Sequence, residues 1–297
     1  MPELPEVESV CRQLHVQLVG RWIEGLEIRY SGILKNPEGE FRKLLLGKSV
    51  TAVNRRGKML QIHLNDDQHI LLAHLKMTGQ FLFRDKGEVK AGVYPLLYAS
   101  QKTVGTFRVG QEKKFDDHLH VIFEFRDGSK LAFRDQRKFA YLHVVTKTEA
   151  ELIEMRFGIE PLREGFTIES FQECFRRRKK SLKAVLMDQQ LIAGIGNIYA
   201  DEICFRSGIR PQRIAAKLSS KELSSLHESC EAVLQAAVDK GGTTLKDYIQ
   251  PDGSIGRFAH HLQVYGRGGE ACLSCSGIIK KVVHQGRGTH FCENCQK

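Results

Sequence analysis

Four cysteines near the C-terminus constrain the fold of this chain more than any other feature. Cys272 and Cys275 form one C-x2-C pair, Cys292 and Cys295 form a second, and 16 residues separate the pairs. This spacing is typical of four thiolates that bind one zinc ion, and the intervening residues suffice for a β-hairpin. Two disulfides or unrelated thiols are the alternative. The pattern predicts one structural zinc per chain, because four protein ligands leave no open coordination position.

The balance of charges indicates a polyanionic partner. Lysine and arginine number 45 against 35 acidic residues, which gives a net charge of +10 over 297 residues. Nucleic acid is the first candidate for so basic a chain with a zinc module, and an anionic membrane surface is the second. No apolar run approaches the roughly 18 residues of a membrane span, and no basic secretory leader opens the chain. We therefore expect a cytoplasmic protein without a membrane partner.

Hydrophobic periodicity predicts a strand-rich first half. Apolar residues recur at helical spacing from Val7 to Leu18, and Gly20 offers a stop. Short strand-like runs follow over 22–145, and one hairpin carries Asp127-Gly128 at its turn. The pattern predicts a helix that lies on a β-sandwich or a flattened barrel.

Helical signals dominate the second half. Ser219 and Glu222 have the spacing of a capping box, which begins a long helix that ends at the glycines 241 and 242. Two shorter helices are predicted over 181–188 and 198–207, and the turn Gly-Ile-Gly-Asn at 194–197 joins them. That turn lacks the third glycine and the preceding strand of a dinucleotide site. We interpret it as a phosphate cradle before a helix N-terminus.

The predicted fold class is α+β, with an N-terminal helix and β-sandwich domain followed by a helical domain and a zinc hairpin. The expected boundaries are 1–157 for the first domain, 158–165 for a linker, 166–248 for the helical domain and 249–297 for the zinc hairpin. The segment 84–117 has no firm periodicity. It either holds an extra hairpin, with candidate strands at 93–98 and 106–109, or is partly disordered.

The first residues of the chain have the chemistry of an amine catalyst. Removal of Met1 would make Pro2 a secondary amine, and an α-amino group titrates near 7.7–8.0 against about 10.4 for lysine. More of it is therefore neutral and nucleophilic at pH 7, and its attack on carbon can give a cationic iminium. Glu3 is the neighbouring candidate for proton transfer, and Glu6 lies one helical turn further on. The alternative is an ordinary helix N-terminus, where acids complement the dipole.

Seven sequence blocks, in order, resemble the formamidopyrimidine-DNA glycosylase family of base-excision repair, over nearly the whole chain. The blocks are MPELPEVE at 1–8, RRGKML at 55–60, HLKMTG at 74–79, RDQRKF at 134–139, GIGNIYADE at 194–202, KGGTTLKDY at 240–248 and GRGTHFC at 286–292. The resemblance implies a bacterial, nucleoid-associated, monomeric enzyme that excises oxidised purines, namely 8-oxoguanine and formamidopyrimidines, from damaged double-stranded DNA. It also implies that the helical domain is of the helix-two-turn-helix type.

The resemblance further implies a role for each matching catalytic residue. Pro2 would attack the sugar C1′, Glu3 would be the general acid, and Glu6 would support them. Lys58 would assist β-elimination, and Arg287 would assist δ-elimination and hold a phosphate. Without the resemblance, an ordinary solvated cation is the simpler reading of the last two.

Three further groups of residues are implied to contact DNA. Met77, Arg137 and Phe139 would fill the void left by a flipped nucleotide, although Met77 and Phe139 could instead be core residues. The residues implied to hold phosphates are His74, His118, Lys179, Lys183, Asn197 and Arg287. The segment implied to cap the flipped base comprises Thr243, Thr244, Leu245, Lys246, Asp247 and Tyr248. Its alternative is a glycine-rich connector.

The chain departs from the family pattern at Ala140, where the wedge loop usually has glycine, and in the length of 84–117. The first rival function is endonuclease VIII, which uses the same scaffold on oxidised pyrimidines. Leu4, the Arg137–Phe139 pair and 240–248 favour the purine enzyme. The second rival is a non-catalytic DNA-binding protein, which would not need the N-terminal proline and acids. The third is a zinc-ribbon RNA-binding protein.

Overall fold

The computed structural model describes residues 1–86, 118–244, 250–252 and 254–297. The candidate strands at 93–98 and 106–109, and residues 245–248 of the predicted base-capping segment, lie outside the described residues. Contacts divide the chain into two compact units. The first unit comprises 1–2, 6–153 and 243–257, and the second comprises 3–5, 154–242 and 258–297.

The described residues of the first unit form two antiparallel sheets and three α-helices. The helices are α1 (Leu4–Leu18), whose first two residues group with the second unit, α2 (Glu38–Leu45) and α3 (Lys147–Glu154). The strands are β1 (Ile23–Ile28), β2 (Val50–Arg56), β3 (Met59–Leu64), β4 (His69–His74), β5 (Gly79–Arg84), β6 (Leu119–Phe125), β7 (Lys130–Asp135) and β8 (Tyr141–Thr146). The strand order is β1-β6-β7-β5 in one sheet and β2-β3-β4-β8 in the other. The predicted N-terminal helix and β-sandwich are confirmed.

One apolar core joins α1 to both sheets. The buried residues Val7, Val10 and Leu14 of α1 belong to the same cluster as Phe133 of β7 and Leu60 of β3. Each such side chain contributes about 1.5–3 kcal/mol when it leaves water, so the helix is held by its apolar stripe.

The second unit contains the helices and the zinc hairpin. Its elements are α4 (Ile168–Phe175), α5 (Leu182–Leu186), α6 (Asn197–Arg206), α7 (Ser220–Asp239), β9 (Ile279–His284) and β10 (Arg287–Cys292). The predicted capping box is present, since the Ser219 side chain accepts the Glu222 N–H and the Glu222 carboxylate accepts the Ser219 N–H. The strands β9 and β10 pair through a two-residue turn at Gln285 and Gly286. Both turn residues have positive φ, as a type I′ hairpin requires.

The compact units are defined by contacts between residues that can be far apart in sequence. Their bounds therefore differ from the predicted domain boundaries, which follow chain order. Residues 243–257 group with the strand-rich unit, where the Phe83 N–H donates to the Pro251 carbonyl at 3.0 Å. Residues 3–5 group with the helical unit, where the Leu4 N–H donates to the Gly194 carbonyl at 3.0 Å. Within the described ranges, no helix is long and apolar enough to cross a membrane.

Candidate functional site

The predicted nucleophile lies at the start of the first unit, directly before α1. Pro2 is buried, whereas Met1 is 47% exposed. With Met1 attached, the Pro2 nitrogen is an amide and has no nucleophilic lone pair. Amine chemistry therefore requires prior removal of Met1, whose exposure suits that cleavage.

The Glu3 carboxylate caps the N-terminus of α6 in the second unit. Its oxygens accept the N–H groups of Gly196 at 2.8 Å, Ile198 at 2.9 Å and Tyr199 at 3.3 Å. These are amides that a helix leaves without intrahelical partners, and a carboxylate there also complements the helix dipole. The sequence alternative was an acid at the N-terminus of its own helix. Glu3 does lie at a helix N-terminus, but the helix is α6, which is distant from it in sequence.

The glycines before α6 make this contact possible. A Cβ at Gly196 would lie 2.4 Å from the Glu3 Cδ, and a Cβ at Gly194 would lie 2.6 Å from the Leu4 Cδ1. The phosphate cradle predicted for this turn is wrong, because the chain's own carboxylate occupies the amides. Two glycines are needed here for the close approach of residues 3 and 4.

Glu6 connects α1 to the start of the predicted base-capping segment within the first unit. Its side chain is 1% exposed, and its Oε1 accepts the Thr243 N–H at 2.6 Å. Next along the segment, the Thr244 hydroxyl accepts the Gly256 N–H at 2.9 Å. The described start of the segment is thus held by the Glu6 carboxylate and by the backbone of Gly256.

Lys58 and His74 are near neighbours in the first unit. Lys58 lies in the turn between β2 and β3 and is 6% exposed, so the alternative of an ordinary solvated cation is wrong for this residue. His74 ends β4, and its Nδ1 accepts the Lys76 N–H at 3.0 Å. Burial, with the positive charges of Lys76 and Lys58, lowers the His74 pKa from 6.5 to about 3. The neutral ring then carries its proton on Nε2, which can donate to a phosphate.

The three predicted void-filling residues lie together on two neighbouring loops of the first unit. Met77 is 48% exposed and Phe139 is 57% exposed, so neither is a core residue. The Arg137 Nη1 lies 2.8 Å from the Met77 Sδ, and its Cζ lies 5.0 Å from the centre of the Phe139 ring. An exposed cluster of two apolar side chains and a guanidinium is suited to enter a base stack.

Lys183 takes a different position from the one predicted for a phosphate ligand. It is 2% exposed, and its Nζ lies 2.7 Å from the Asp201 Oδ1 and 2.9 Å from both the Gly288 carbonyl and the Thr289 hydroxyl. The other Asp201 oxygen accepts the His290 N–H at 2.8 Å. Because its ammonium is bonded to protein oxygens, Lys183 holds α5 and α6 of the second unit to strand β10.

The remaining predicted phosphate ligands have more accessible positions. The Asn197 Nδ2 donates to the Gly288 carbonyl at 3.1 Å, which brings it near Arg287 at the exposed start of β10. Lys179 is exposed, just before α5. His118 is half-buried at the start of β6 in the first unit, where its carbonyl accepts the Asp135 N–H at 3.1 Å.

The four predicted zinc ligands converge. The Sγ atoms of Cys272 and Cys295 are 3.9 Å apart, those of Cys275 and Cys292 are 3.4 Å apart, and all four lie within 4.8 Å of one another. A tetrahedral site with Zn–S bonds of about 2.3 Å spaces its sulfurs roughly 3.8 Å apart, whereas a disulfide needs about 2.05 Å. The donor set fits one structural zinc.

Two buried aspartates near the predicted residues escaped the sequence analysis. Asp201 bridges Lys183 and His290, and Asp135 accepts hydrogen bonds from the void-filling loops. Both lie inside family-like blocks, and both are fully buried. A charged residue among apolar neighbours in a strand or helix was the available signal, since such a charge needs partners.

Three family models match consecutive parts of the chain. Residues 1–142 match the formamidopyrimidine-DNA glycosylase N-terminal domain, and residues 157–248 match the H2TH domain of the same glycosylase. Residues 269–297 match the zinc finger found in FPG and IleRS. Formamidopyrimidine-DNA glycosylases of Bacillus licheniformis and Geobacillus kaustophilus are 40% and 41% identical, each covering 100% of both chains.

Solved structures agree with these matches. A complex between Lactococcus lactis Fpg and DNA containing an abasic site has a TM-score of 0.83 and 31% identity, over 99% of both chains. A complex of the Lactococcus lactis protein with a FAPY-dG containing DNA has a TM-score of 0.83 and 32% identity, over 99% of this chain and 100% of the other. The chain belongs to the formamidopyrimidine-DNA glycosylase family.

Proposed function

We propose that this chain excises 8-oxoguanine and formamidopyrimidines from double-stranded DNA as a monomer, and then cleaves the strand at the resulting abasic site. The full-length family match carries the proposal, together with the N-terminal Pro2-Glu3 pair. The known relatives named above are bacterial enzymes, which supports a cytoplasmic, nucleoid-associated location.

Base excision begins at Pro2 once Met1 has been removed. The proline nitrogen forms a bond to C1′ while the bond from C1′ to the base breaks, and the base leaves with a proton. Glu3, in its protonated form, is the proposed donor of that proton, and the three hydrogen bonds that its oxygens accept at the start of α6 hold the carboxyl group in one position. The proline nitrogen then loses its proton, and its lone pair forms the C1′=N bond of a cationic iminium as the bond from C1′ to the ring oxygen breaks and that oxygen takes up a proton.

Strand cleavage uses the iminium as an electron sink. Loss of the C2′ proton lets the bond to the 3′ oxygen break, and the 3′ phosphate leaves. Loss of a second proton, from C4′, lets the 5′ phosphate leave, so that a one-nucleoside gap with phosphate ends remains. We assign assistance of the first elimination to Lys58 and of the second to Arg287. The low exposure of Lys58 and the exposed place of Arg287 on the zinc hairpin support these roles.

DNA is gripped through its phosphates, and the base is reached by flipping. We assign phosphate contacts to His74, His118, Lys179, Asn197 and Arg287, and void filling to Met77, Arg137 and Phe139. Lys183 acts indirectly, through strand β10 that carries Arg287. The four cysteines hold the zinc that stabilises this hairpin.

The choice of base is assigned to the segment 243–248. Its start is held by Glu6, and the glycines 241 and 242 before it have positive φ. Consecutive backbone amides after such a turn can bind the carbonyl oxygen of an oxidised purine. Oxidised pyrimidines, the substrates of the sister activity, are the rival class.

Borohydride trapping tests the nucleophile and the substrate class together. On an 8-oxoguanine duplex, reduction of the iminium should link DNA to a peptide that begins at Pro2. Lys58→Ala should still form the adduct, because Lys58 is assigned to elimination. A linkage mapped to Lys58, or faster trapping on an oxidised-pyrimidine duplex, would contradict the proposal. Intact mass of the unreacted protein establishes that Met1 is absent.

A further inference from the structure

The loops that carry Met77, Arg137 and Phe139 are held by one buried carboxylate. Asp135 ends β7 and has no exposed surface. One of its oxygens accepts the Phe139 and Ala140 N–H groups, both at 2.7 Å. The other accepts the Arg137 N–H at 3.1 Å and the hydroxyl of Thr78. Four donors from two loops therefore meet at this side chain.

Thr78 is the connection between the two loops. It directly follows Met77, and its hydroxyl donates to Asp135 while accepting the Arg137 N–H at 3.2 Å. The loop 75–78 reaches the carboxylate through this hydroxyl, whereas the loop 136–140 reaches it through backbone amides. One hydroxyl thus joins the Met77 loop to the Arg137 loop.

Both loops contain a strained residue beside a void-filling one. Lys76 has φ of 50° and Lys138 has φ of 57°, in the left-handed region that is unfavourable for a residue with a side chain. Such conformations persist where surrounding bonds over-determine them. Hydrogen bonds to a charged group are stronger than those between neutral groups, so the four that Asp135 accepts can offset the strain of both loops.

We infer that Asp135 and Thr78 are positioning residues that make Met77, Arg137 and Phe139 move and insert as one unit. The inference rests on the proposed void-filling function and adds the coupling between its parts. Within this unit we assign Arg137 to the base opposite the lesion, so an Arg137 displaced by a base other than cytosine also displaces Met77. Discrimination of the opposite base should then depend on the Thr78 hydroxyl, which contacts no DNA in this account.

The matched variants are Thr78→Val, which keeps the shape without the hydroxyl, and Thr78→Ser, which keeps the hydroxyl. Single-turnover excision of 8-oxoguanine opposite cytosine and opposite adenine measures discrimination. Thr78→Val should lower the cytosine-to-adenine rate ratio about tenfold, which corresponds to the loss of one such hydrogen bond. Thr78→Ser should restore it to within about twofold of wild type, and cleavage at an abasic site should change little in either variant.

Methyl NMR of Met77 separates the coupling from the proposed function. In free protein, Thr78→Val should sharpen and shift the Met77 ε-methyl resonance as that side chain gains freedom, and Thr78→Ser should not. An unchanged Met77 resonance in Thr78→Val overturns the coupling. A second outcome is that the Met77 resonance changes in Thr78→Val while the cytosine-to-adenine rate ratio stays the same in both Thr78→Val and Arg137→Ala. That outcome would overturn the assigned role of Arg137, and with it the consequence for discrimination of the opposite base.

Discussion

At the scale of single residues, His74 shows how a neutral side chain is kept beside positive ones. Its Nδ1 accepts the Lys76 N–H, and burial with the charges of Lys76 and Lys58 lowers its pKa to about 3. In an unfolded chain the same imidazole titrates near 6.5. As the pH falls, the unfolded state therefore binds a proton at this group before the folded state does. This lowers the free energy of unfolding as the pH decreases from about 6.5 to about 3.

The first prediction concerns the charge of His74. Its imidazole NMR signals should report the neutral, Nε2-protonated form from pH 8 down to about 4, because burial and the lysines disfavour the cation. Lys76→Met should raise the His74 pKa by removing one repelling charge, and it leaves the backbone N–H donor in place. A titration of His74 near pH 6.5 in the wild-type protein would contradict this account.

At the scale of elements, helix α6 is capped by a residue that lies near the N-terminus of the chain. Gly196 precedes α6 and has no side chain to cap it, and the Glu3 carboxylate takes that part instead. Loss of a capping group costs a helix about 0.5–2 kcal/mol. The fold can therefore survive without this contact, while the proposed proton transfer depends on where Glu3 is held.

The second prediction tests this contact with Gly196→Ala. The added Cβ would lie 2.4 Å from the Glu3 Cδ, so the carboxylate has to move. Excision of 8-oxoguanine should fall at least tenfold, and the unfolding temperature should drop by a few degrees. Gly165→Ala is the control, because nothing lies within 4 Å of its added Cβ. Equal excision rates in the two variants would show that the position of Glu3 does not limit the reaction.

At the scale of the whole molecule, the net charge of +10 predicts DNA affinity that falls steeply with salt. The structure divides the candidate lysines into two kinds. Lys179 is exposed, whereas the Lys183 ammonium is buried against Asp201 and the backbone of β10. Only an exposed lysine such as Lys179 can contact a DNA phosphate and so displace the counterions bound there.

The third prediction compares these two lysines. Lys179→Ala should reduce the slope of log affinity against log salt by about one, with an unchanged unfolding temperature. Lys183→Met should leave the slope nearly unchanged but destabilise the fold by about 3–5 kcal/mol, since Asp201 would be left as an unpaired buried charge. Filter-binding titrations on undamaged DNA and thermal unfolding measure both effects. A slope change of one in Lys183→Met without loss of stability would return Lys183 to the phosphate ligands.

Local patterns were sufficient for much of the fold. The stripe from Val7 to Leu18, the Ser219–Glu222 capping box and the hairpin at Asp127-Gly128 are all present as expected. The cysteine spacing was likewise sufficient for the zinc site. Each of these features depends on residues within a few helical turns or one hairpin of each other. Residue type and spacing are therefore enough to predict them.

The polar partners of the candidate site were decided only by tertiary structure. Glu3 meets amides that lie 193 or more residues away, and the Lys183 ammonium meets oxygens on β10 about 105 residues away. From sequence alone, the first contact resembled a phosphate cradle and the second a phosphate ligand. An amide or an ammonium can bind any suitable oxygen, and the sequence does not say whether that oxygen belongs to DNA or to the protein. That choice follows from which groups the apolar cores bring together and remove from water.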